Sequence, residues 1–393
     1  MRIAMLGHKR IPSREGGVEI VVDELSTRMA AQGHKVTVYN RMGGHVSGKE
    51  YSTADLKEYK GVKLKKALTI NKKGLAAMTS SLSAAICAAF GRYDVVHFHA
   101  EGPCAMTWIP KLFGKRVIAT IHGLDWQRAK WGGFATKYLK FGEKMAVKHA
   151  DEIIVLSKNV QKYFRDTYGR DTIFIPNGIS KPQLKDAQQL TEKWGLKKNQ
   201  YILFLGRIVP EKGIMYLINA FKKVDTDKRL VIAGGASDTN DFMEEVKKCA
   251  AEDSRIIFTG FVQGQELEEL YSNAYIYTLP SDLEGMPISL LEAMSYGNCC
   301  LISDIPECTE VVEDRAVVFK HSDIADLADK LQMLCDDPDM VQRYRKNAGK
   351  YICSRYDWDD VVGRTMELYK EKSCSKAVPQ LYGPQSHIKD VSV

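Results

Sequence analysis

Two glutamates in the stretch S-D-L-E-G-M-P-I-S-L-L-E-A-M, residues 281–294, are the first candidates for chemistry. Paired carboxylates often act as general acid and base on a glycosidic bond, so Glu284 and Glu292 raise the question of a hydrolase. On one helix they would lie about 80° apart around the axis and ~12 Å apart along it. That separation is too wide for either standard glycosidase arrangement. Pro287 also suits the first position of a helix, which leaves Glu284 in the loop before the helix and Glu292 inside it.

A helix that begins between the glutamates would gather backbone amides at its N-terminus, where they favour phosphate oxygens. Pro287 has no amide hydrogen to offer. The amides available are those of Gly285, Met286, Ile288 and Ser289. We therefore interpret the two carboxylates as hydroxyl acceptors that flank a phosphate site, and not as an acid/base pair.

A second loop, G-R-I-V-P-E-K-G at residues 206–213, brings two cations to the start of a predicted helix. Arg207 can bind a phosphate in fork geometry and Lys212 supplies a point charge, so together they suit a diphosphate. The alternative is a pair of solvated charges. Function is favoured because loops at the carboxyl ends of parallel strands are the usual ligand sites.

A third loop, H-K-R-I-P-S-R-E-G-G-V-E at residues 8–19, lies between the first predicted strand and helix. Gly16 and Gly17 would let the backbone approach a ligand closely, and the amides that open the helix favour an anion. The segment is not G-x-G-x-x-G, and a plain tight turn explains it equally well.

Short apolar strands alternate with amphipathic helices, which predicts α/β domains with mainly parallel sheets. The first series of strands is expected at 2–6, 35–39, 95–99, 116–121, 153–156 and 172–175, with a helix at 18–32. The second is expected at 201–205, 229–233, 255–258, 274–279 and 298–302, with a helix at 214–223. The polar stretch 176–200 is interpreted as the connector. Two doubly wound domains facing each other across a cleft follow from this pattern.

The uncharged stretch 74–91 approaches the length of a membrane span but is rich in Ala and Ser. Its large apolar residues recur at helical spacing, which predicts a helix that packs them on a core. We expect no transmembrane segment and no secretory signal. The large residues are Leu75, Met78, Leu82, Ile86 and Phe90.

Charge is divided unevenly along the chain. Residues 1–180 contain 29 Lys and Arg against 15 Asp and Glu, net +14, whereas residues 181–393 contain 27 against 34, net −7. A basic first half could contact anionic lipid or a polyphosphate ligand, or could be a solvated face without a partner. Nucleic acid is not expected, because no binding motif accompanies the charge. One short segment holds Lys57, Lys60, Lys63, Lys65, Lys66, Lys72 and Lys73.

These motifs, in this order, resemble the family 4 retaining glycosyltransferases, especially bacterial capsule and exopolysaccharide members. E-G-M-P-I-S-L-L-E-A-M resembles the family's E-x7-E element, G-R-I-V-P-E-K-G its Arg/Lys phosphate motif, and I-P-N-G-I at 175–179 its interdomain hinge element. The resemblance covers roughly residues 1–372. It implies the GT-B fold, with an acceptor-side domain at 1–180 plus 355–372, a nucleotide-sugar-binding domain at 181–354 and a flexible tail at 373–393.

The resemblance also implies roles in donor binding. Arg207 and Lys212 would neutralise the leaving diphosphate, and Glu292 would bind the ribose hydroxyls. Glu284 would hold the donor sugar with the amides of Gly285, Met286 and Ile288. Gly17, beside Gly16, would approach the phosphate from the other domain. Val262 would pair its backbone with the base, Asn177 belongs to the hinge element, and His122 would face the transferred sugar near the reacting carbon.

Histidines and aspartates near the cleft are the candidates for the acceptor side. His97 and His99 alternate in a predicted strand, so we expect one to face the core and the other the cleft mouth, with His99 on the acceptor side or simply packed. Asp125 could contact the acceptor or cap a helix. D-W-D-D at 357–360 spells a D-x-D metal motif, but the apolar stripe behind it favours a helix start with acidic first-turn residues. No metal is expected.

The motifs and the family resemblance together imply a metal-independent, retaining glycosyltransferase that moves a sugar from a nucleoside-diphosphate-sugar to a glycan, with a lipid-linked saccharide as the expected acceptor. Nine scattered cysteines without a C-x-x-C favour the reducing cytosol, and the basic first half suggests peripheral contact with the inner membrane face. One alternative is a nucleotide-sugar 2-epimerase, which would turn over donor without acceptor. Another is a non-catalytic nucleotide-sugar-binding protein, which would show neither transfer nor slow donor hydrolysis.

Overall fold

The computed structural model describes residues 1–43, 56–72, 74–128, 132–235 and 240–370. Lys73 and the tail at 373–393 lie outside the described residues. The first sheet is built from β1 (Arg2–Leu6), β2 (Lys35–Arg41), β3 (Glu58–Tyr59), β4 (Val62–Ala67), β5 (Val95–His99), β6 (Arg116–Ile121), β7 (Glu152–Val155) and β8 (Ile173–Phe174). The second is built from β9 (Tyr201–Leu205), β10 (Arg229–Ala233), β11 (Ile256–Gly260), β12 (Ile276–Leu279), β13 (Cys299–Ser303) and β14 (Val317–Phe319).

Helices connect these strands and cover both faces of each sheet. The helices of the first series are α1 (Gly17–Ala31), α2 (Leu75–Phe90), α3 (Glu101–Cys104), α4 (Trp108–Leu112), α5 (Gly133–His149) and α6 (Lys158–Tyr168). The later ones are α7 (Gln189–Trp194), α8 (Ile214–Phe221), α9 (Asn240–Ala250), α10 (Gln265–Asn273), α11 (Ile288–Ser295), α12 (Pro306–Val312), α13 (Ile324–Asp336), α14 (Pro338–Arg355) and α15 (Trp358–Lys370).

The strand orders are β3-β4-β2-β1-β5-β6-β7-β8 and β11-β10-β9-β12-β13-β14. The neighbouring strands are parallel except for the short β3–β4 pair. The predicted α/β architecture with two mainly parallel sheets is confirmed. Because β1 and β9 each lie inside their sheet with crossovers on both sides, loops at the carboxyl ends of the strands meet near the middle of each edge.

The short strands β3 and β14 are missing from the sequence-based prediction, and so is the longer strand β4. Its side chains alternate, with Val62 and Leu64 buried and Lys63 and Lys65 exposed. This period of two is the signature of a half-buried strand. The density of lysines in the segment indicates only a basic stretch and hides the alternation.

The D-W-D-D segment begins a helix, as expected. The Asp357 carboxylate accepts a hydrogen bond from the Asp359 amide at 2.7 Å, and α15 follows. Trp358 and Val362 are buried in one apolar cluster with residues of α1 and β1, so α15 packs on the first sheet. Across the described residues, no group of three or more His, Cys, Asp or Glu side chains is placed to hold a metal ion.

The connector and α2 differ from expectation. In 176–200, Leu190 and Leu196 are fully buried in the core of the second sheet, so part of the connector belongs to that core. In α2 the buried face is the Ala and Ser face, and the larger apolar side chains point outward, which is the reverse of the prediction. Small side chains let the helix approach the sheet closely. Among the described residues, no helix is long and apolar enough to cross a membrane.

Candidate active site

A cavity of about 310 Å³ lies where loops that follow strands of both sheets meet. Ligand pockets commonly have volumes of ~300–1,000 Å³. The described structure places every predicted site residue except His99 around this cavity. The lining includes Gly16, Gly17, His122, Asp125, Asn177, Arg207, Lys212, Val262, Glu284, Gly285, Met286, Ile288 and Glu292.

Backbone from the two sheets comes into contact at the loop after β12. A Cβ atom on Gly285 would lie 1.6 Å from the carbonyl oxygen of His122 and 3.3 Å from the Cα of Gly123. Asn177 holds the same loop, because its Nδ2 donates to the carbonyl oxygen of Met286 at 3.1 Å. The loop after β6, the hinge segment and the loop after β12 therefore form one joined structure beside the cavity.

The two glutamates of the E-x7-E element lie on either side of a helix start. Pro287 is the N-cap of α11 and not its first residue, so the helix begins one residue later than predicted, and Glu292 lies within it. Glu284 lies in the preceding loop, as predicted. Ile288 and Ser289, at the start of α11, line the cavity. The positive end of the helix dipole therefore faces the space between the two carboxylates.

Cations from loops of both sheets line the cavity, with Arg207 and Lys212 after β9 and Arg128 after β6. The Lys212 ammonium lies 2.5 Å from Glu284 Oε1, which also accepts a hydrogen bond from Ser281 Oγ at 2.7 Å. Burial and the neighbouring Arg128 cation lower the pKa of Arg207. An anion beside Arg207 would stabilise the charged form of its guanidinium group. This arrangement favours a polyanionic ligand.

His122 is neutral at neutral pH, because burial lowers its pKa to about 4. Its Nε2 lies 3.1 Å from Nδ1 of His99, so the two rings share one hydrogen bond. A neutral imidazole with one nitrogen engaged behind it can offer the other as donor or acceptor to a ligand hydroxyl.

The expectation that His97 and His99 face opposite sides was wrong. Their ring centroids lie 4.2 Å apart, and both side chains are fully buried. Residues two apart in a strand share a face, which explains the result. His97 contacts the Tyr369 hydroxyl at 2.6 Å and the Thr120 hydroxyl at 2.7 Å. His99 does not reach the cavity and contacts His122 from behind.

Comparison with known proteins agrees with this geometry. Residues 15–181 match Glycosyltransferase Family 4, and residues 186–351 match Glycosyl transferases group 1. The chain belongs to the family 4 glycosyltransferases. The enzyme is 27% identical to the phosphatidyl-myo-inositol mannosyltransferase of Mycobacterium leprae over 93% of this chain and 96% of that protein.

Solved structures show that the glycosyltransferase has the GT-B fold. Sucrose-phosphate synthase from Thermosynechococcus elongatus superposes with a TM-score of 0.79 at 20% identity, covering 94% of this chain and 98% of that one. The Anabaena protein HepE in complex with UDP-glucose superposes with a TM-score of 0.77 at 17% identity, covering 93% and 99%.

Three residues of this glycosyltransferase that sequence reasoning missed contact the predicted site. Arg14 forms an ion pair with Glu292, whose other oxygen accepts from the Tyr271 hydroxyl at 2.9 Å. Arg128 pairs with the Asp125 carboxylate at 2.8 Å. Arg14 and Glu292 are 278 positions apart, so no local pattern could have joined them. Asp125 lines the cavity and is the first residue of a short helix whose N-cap is Leu124.

Proposed function

We propose that this glycosyltransferase transfers a sugar from a nucleoside-diphosphate-sugar to a glycan, with retention of configuration and without a metal ion. The observation that supports the proposal is the convergence of Arg207, Lys212 and the N-terminus of α11 on one cavity, with Glu284 and Glu292 on either side. A diphosphate at the helix start would bring its ribose towards Glu292 and its sugar towards Glu284. The HepE complex with UDP-glucose is consistent with such a donor.

The proposed mechanism is electrostatic. Arg207, Lys212 and the α11 amides hold positive charge where the leaving diphosphate develops negative charge, and they need no reorganisation during the reaction. The acceptor hydroxyl attacks from the face that the diphosphate leaves, and the donor phosphate takes its proton. Glu284 pairs with Lys212 and accepts hydrogen bonds from donor hydroxyls. Neutral His122 contacts the transferred sugar.

The proposed acceptor is a lipid-linked saccharide in cell-surface polysaccharide synthesis, of the capsule or exopolysaccharide type. The enzyme would work in the cytoplasm, with the basic first half at the inner face of the membrane. Two observations support this proposal. One is the net charge of +14 over residues 1–180. The other is the similarity to the phosphatidyl-myo-inositol mannosyltransferase.

The test begins with thermal stabilisation by a panel of nucleoside diphosphates and their sugars, because a ligand that binds the native state raises its apparent stability. The donor so identified is then incubated with and without saccharide acceptors, with and without EDTA, and the anomeric configuration of the product is read by NMR. Epimerisation of UDP-N-acetylglucosamine alone would favour the epimerase. Binding without transfer or hydrolysis would favour a binding protein.

Two variants test the site itself. Lys212→Ala and Glu284→Ala should each lower transfer by a factor of about 100 or more, because each removes a group that contacts the donor in the transition state. Their thermal unfolding should remain cooperative and their circular dichroism unchanged. Near-normal turnover in both variants would contradict the assignment of the site.

A further inference from the structure

The outward face of α2 is an unusual surface for a soluble helix. Residues 74–91 include no charged residue, so this face carries no charged side chain that water would solvate. Ile86 is 42% exposed and Phe90 is 73% exposed, whereas Ala84, Ala85 and Ala88 are buried against the sheet. A helix usually presents its large apolar residues to the core and its small or polar residues to water.

Neighbouring segments extend this face at both ends. Beyond its C-terminus, the Phe90 and Phe113 rings pack edge to face with centroids 4.7 Å apart, beside Leu112, which is 73% exposed. Before its N-terminus, the segment that carries Leu68 and Ile70 runs along α2, anchored by amide hydrogen bonds to hydroxyl groups of the helix at 3.0 Å. We call the continuous surface the apolar ridge; it consists of Leu68, Ile70, Leu75, Leu82, Ile86, Phe90, Leu112 and Phe113.

Basic side chains border the apolar ridge. Lys63 and Lys65 alternate with buried residues of β4, and the Lys65 ammonium lies 5.6 Å from the centroid of the Tyr39 ring. Tyr39 belongs to the same apolar cluster as the alanines of α2, so these lysines point to the side of the sheet on which α2 packs. Exposed Lys72 and Arg92 lie just before and just after the helix. Residues 56–72 contain six lysines and a single acidic residue, Glu58.

We propose that the apolar ridge is the surface through which the protein docks on an anionic lipid bilayer. Its side chains would enter the boundary between headgroups and acyl chains, and the bordering lysines would lie among anionic headgroups. This surface would meet the membrane that carries the acceptor. The presence of an acceptor in that membrane rests on the proposed function, whereas binding of the apolar ridge to anionic lipid does not.

The positive charge around the apolar ridge favours an anionic lipid bilayer over the other possible binding partners. A second copy that docked through the same face by two-fold symmetry would bring the same lysines against each other. A protein partner would need an acidic rim around an apolar groove. An anionic bilayer supplies both negative charge and an apolar layer over the whole length of the ridge, about 24 Å along α2.

Sedimentation of the full-length protein with vesicles tests the proposal. Vesicles of phosphatidylcholine with phosphatidylglycerol should bind it, and vesicles of phosphatidylcholine alone should bind it weakly. The double variant Ile86→Ser/Phe90→Ser should lower partitioning by about tenfold, because it removes two exposed apolar groups without adding charge. Leu184→Ser is the matched control, since Leu184 is 70% exposed and outside the ridge. It should bind as the wild type does.

Binding to anionic vesicles that is equal in the double variant and the wild type would overturn the proposal, as would no preference for anionic lipid. A wild-type dimer in gel filtration that the double variant disperses would assign the ridge to a second copy instead. The response of thermal stability to UDP, GDP and ADP, measured without vesicles, separates this inference from the proposed function. An intact nucleotide response without vesicle binding refutes only the docking surface, and absence of any nucleotide response refutes only the donor assignment.

Discussion

The contact between Gly285 and the loop after β6 makes Gly285→Ala a severe test of the site geometry. The added Cβ would lie 1.6 Å from the His122 carbonyl oxygen and 2.7 Å from its carbonyl carbon. Ordinary contact begins near 3.4 Å, so one of the two backbones must move by more than ~1 Å. Both atoms that His122 presents are backbone, so no side-chain rotation relieves the clash. We expect a loss of stability of about 1–3 kcal/mol, which is typical of overpacking.

The same displacement should damage transfer more than stability. A misplacement of about 1 Å at a reacting centre can cost ~100-fold in rate, and the moved loop holds both Glu284 and the amides before α11. The assay is kcat/KM for donor hydrolysis or transfer, together with urea unfolding. Gly363→Ala is the matched control, because nothing lies within 4 Å of its added Cβ and it lies inside α15. It should be neutral or slightly stabilising. Wild-type kinetics and stability for Gly285→Ala would refute the close contact between the two loops.

The remaining predictions concern donor access and acid stability. Gly17→Ala should raise the donor KM without lowering the melting temperature, since its Cβ would meet only Ile288 at an ordinary 3.6 Å; unchanged KM would contradict a close approach of Gly17 to phosphate. Arg14→Ala should lower the donor KM, because Arg14 occupies the Glu292 oxygen that a ribose would need; a raised KM would show that Arg14 binds the donor instead. Burial lowers the pKa of His8 from 6.5 to about 4, so the unfolded chain takes up protons first as the pH falls. Burial likewise lowers the pKa of His122 to about 4, so the free energy of unfolding by urea should fall between pH 6.5 and 4, by up to about 1.4 kcal/mol per pH unit from each of these two histidines. A flat profile would contradict the burial of His8 and His122 as neutral groups.

Local rules were enough to predict the placement of the two glutamates. The spacing of Glu284 and Glu292, with Pro287 between them, predicts that the first lies in a loop and the second in a helix, and the structure places them so. The alternation of strands and helices likewise depends on short-range patterns, so most strands were predicted within a few residues. The proline itself lies at the N-cap and not in the first turn.

Sequence patterns failed where a decision depended on distant residues. Helical periodicity in α2 predicts two different faces, but not which of them packs on the sheet. The face with Ala84 and Ala88 packs there, because its small side chains allow a close approach. The ion pair between Arg14 and Glu292 and the position of Arg128 depend on how loops of the two sheets meet. The misassignment of His99 has a different origin. Strand periodicity places His99 on the same face as His97, because residues two apart in a strand share a face.

The return of α15 to the first sheet has a consequence for the order of folding. Trp358, Val362 and Met366 pack in one cluster with Val22 and other residues near the N-terminus, so contacts more than 300 positions apart complete that core. During synthesis the first sheet would leave the ribosome long before the helix that covers it. The part of that face that α15 covers beside α1 would stay exposed until residue 370 is made, whereas the second sheet would have its own core by then. The half that emerges first would therefore be the half that finishes folding last.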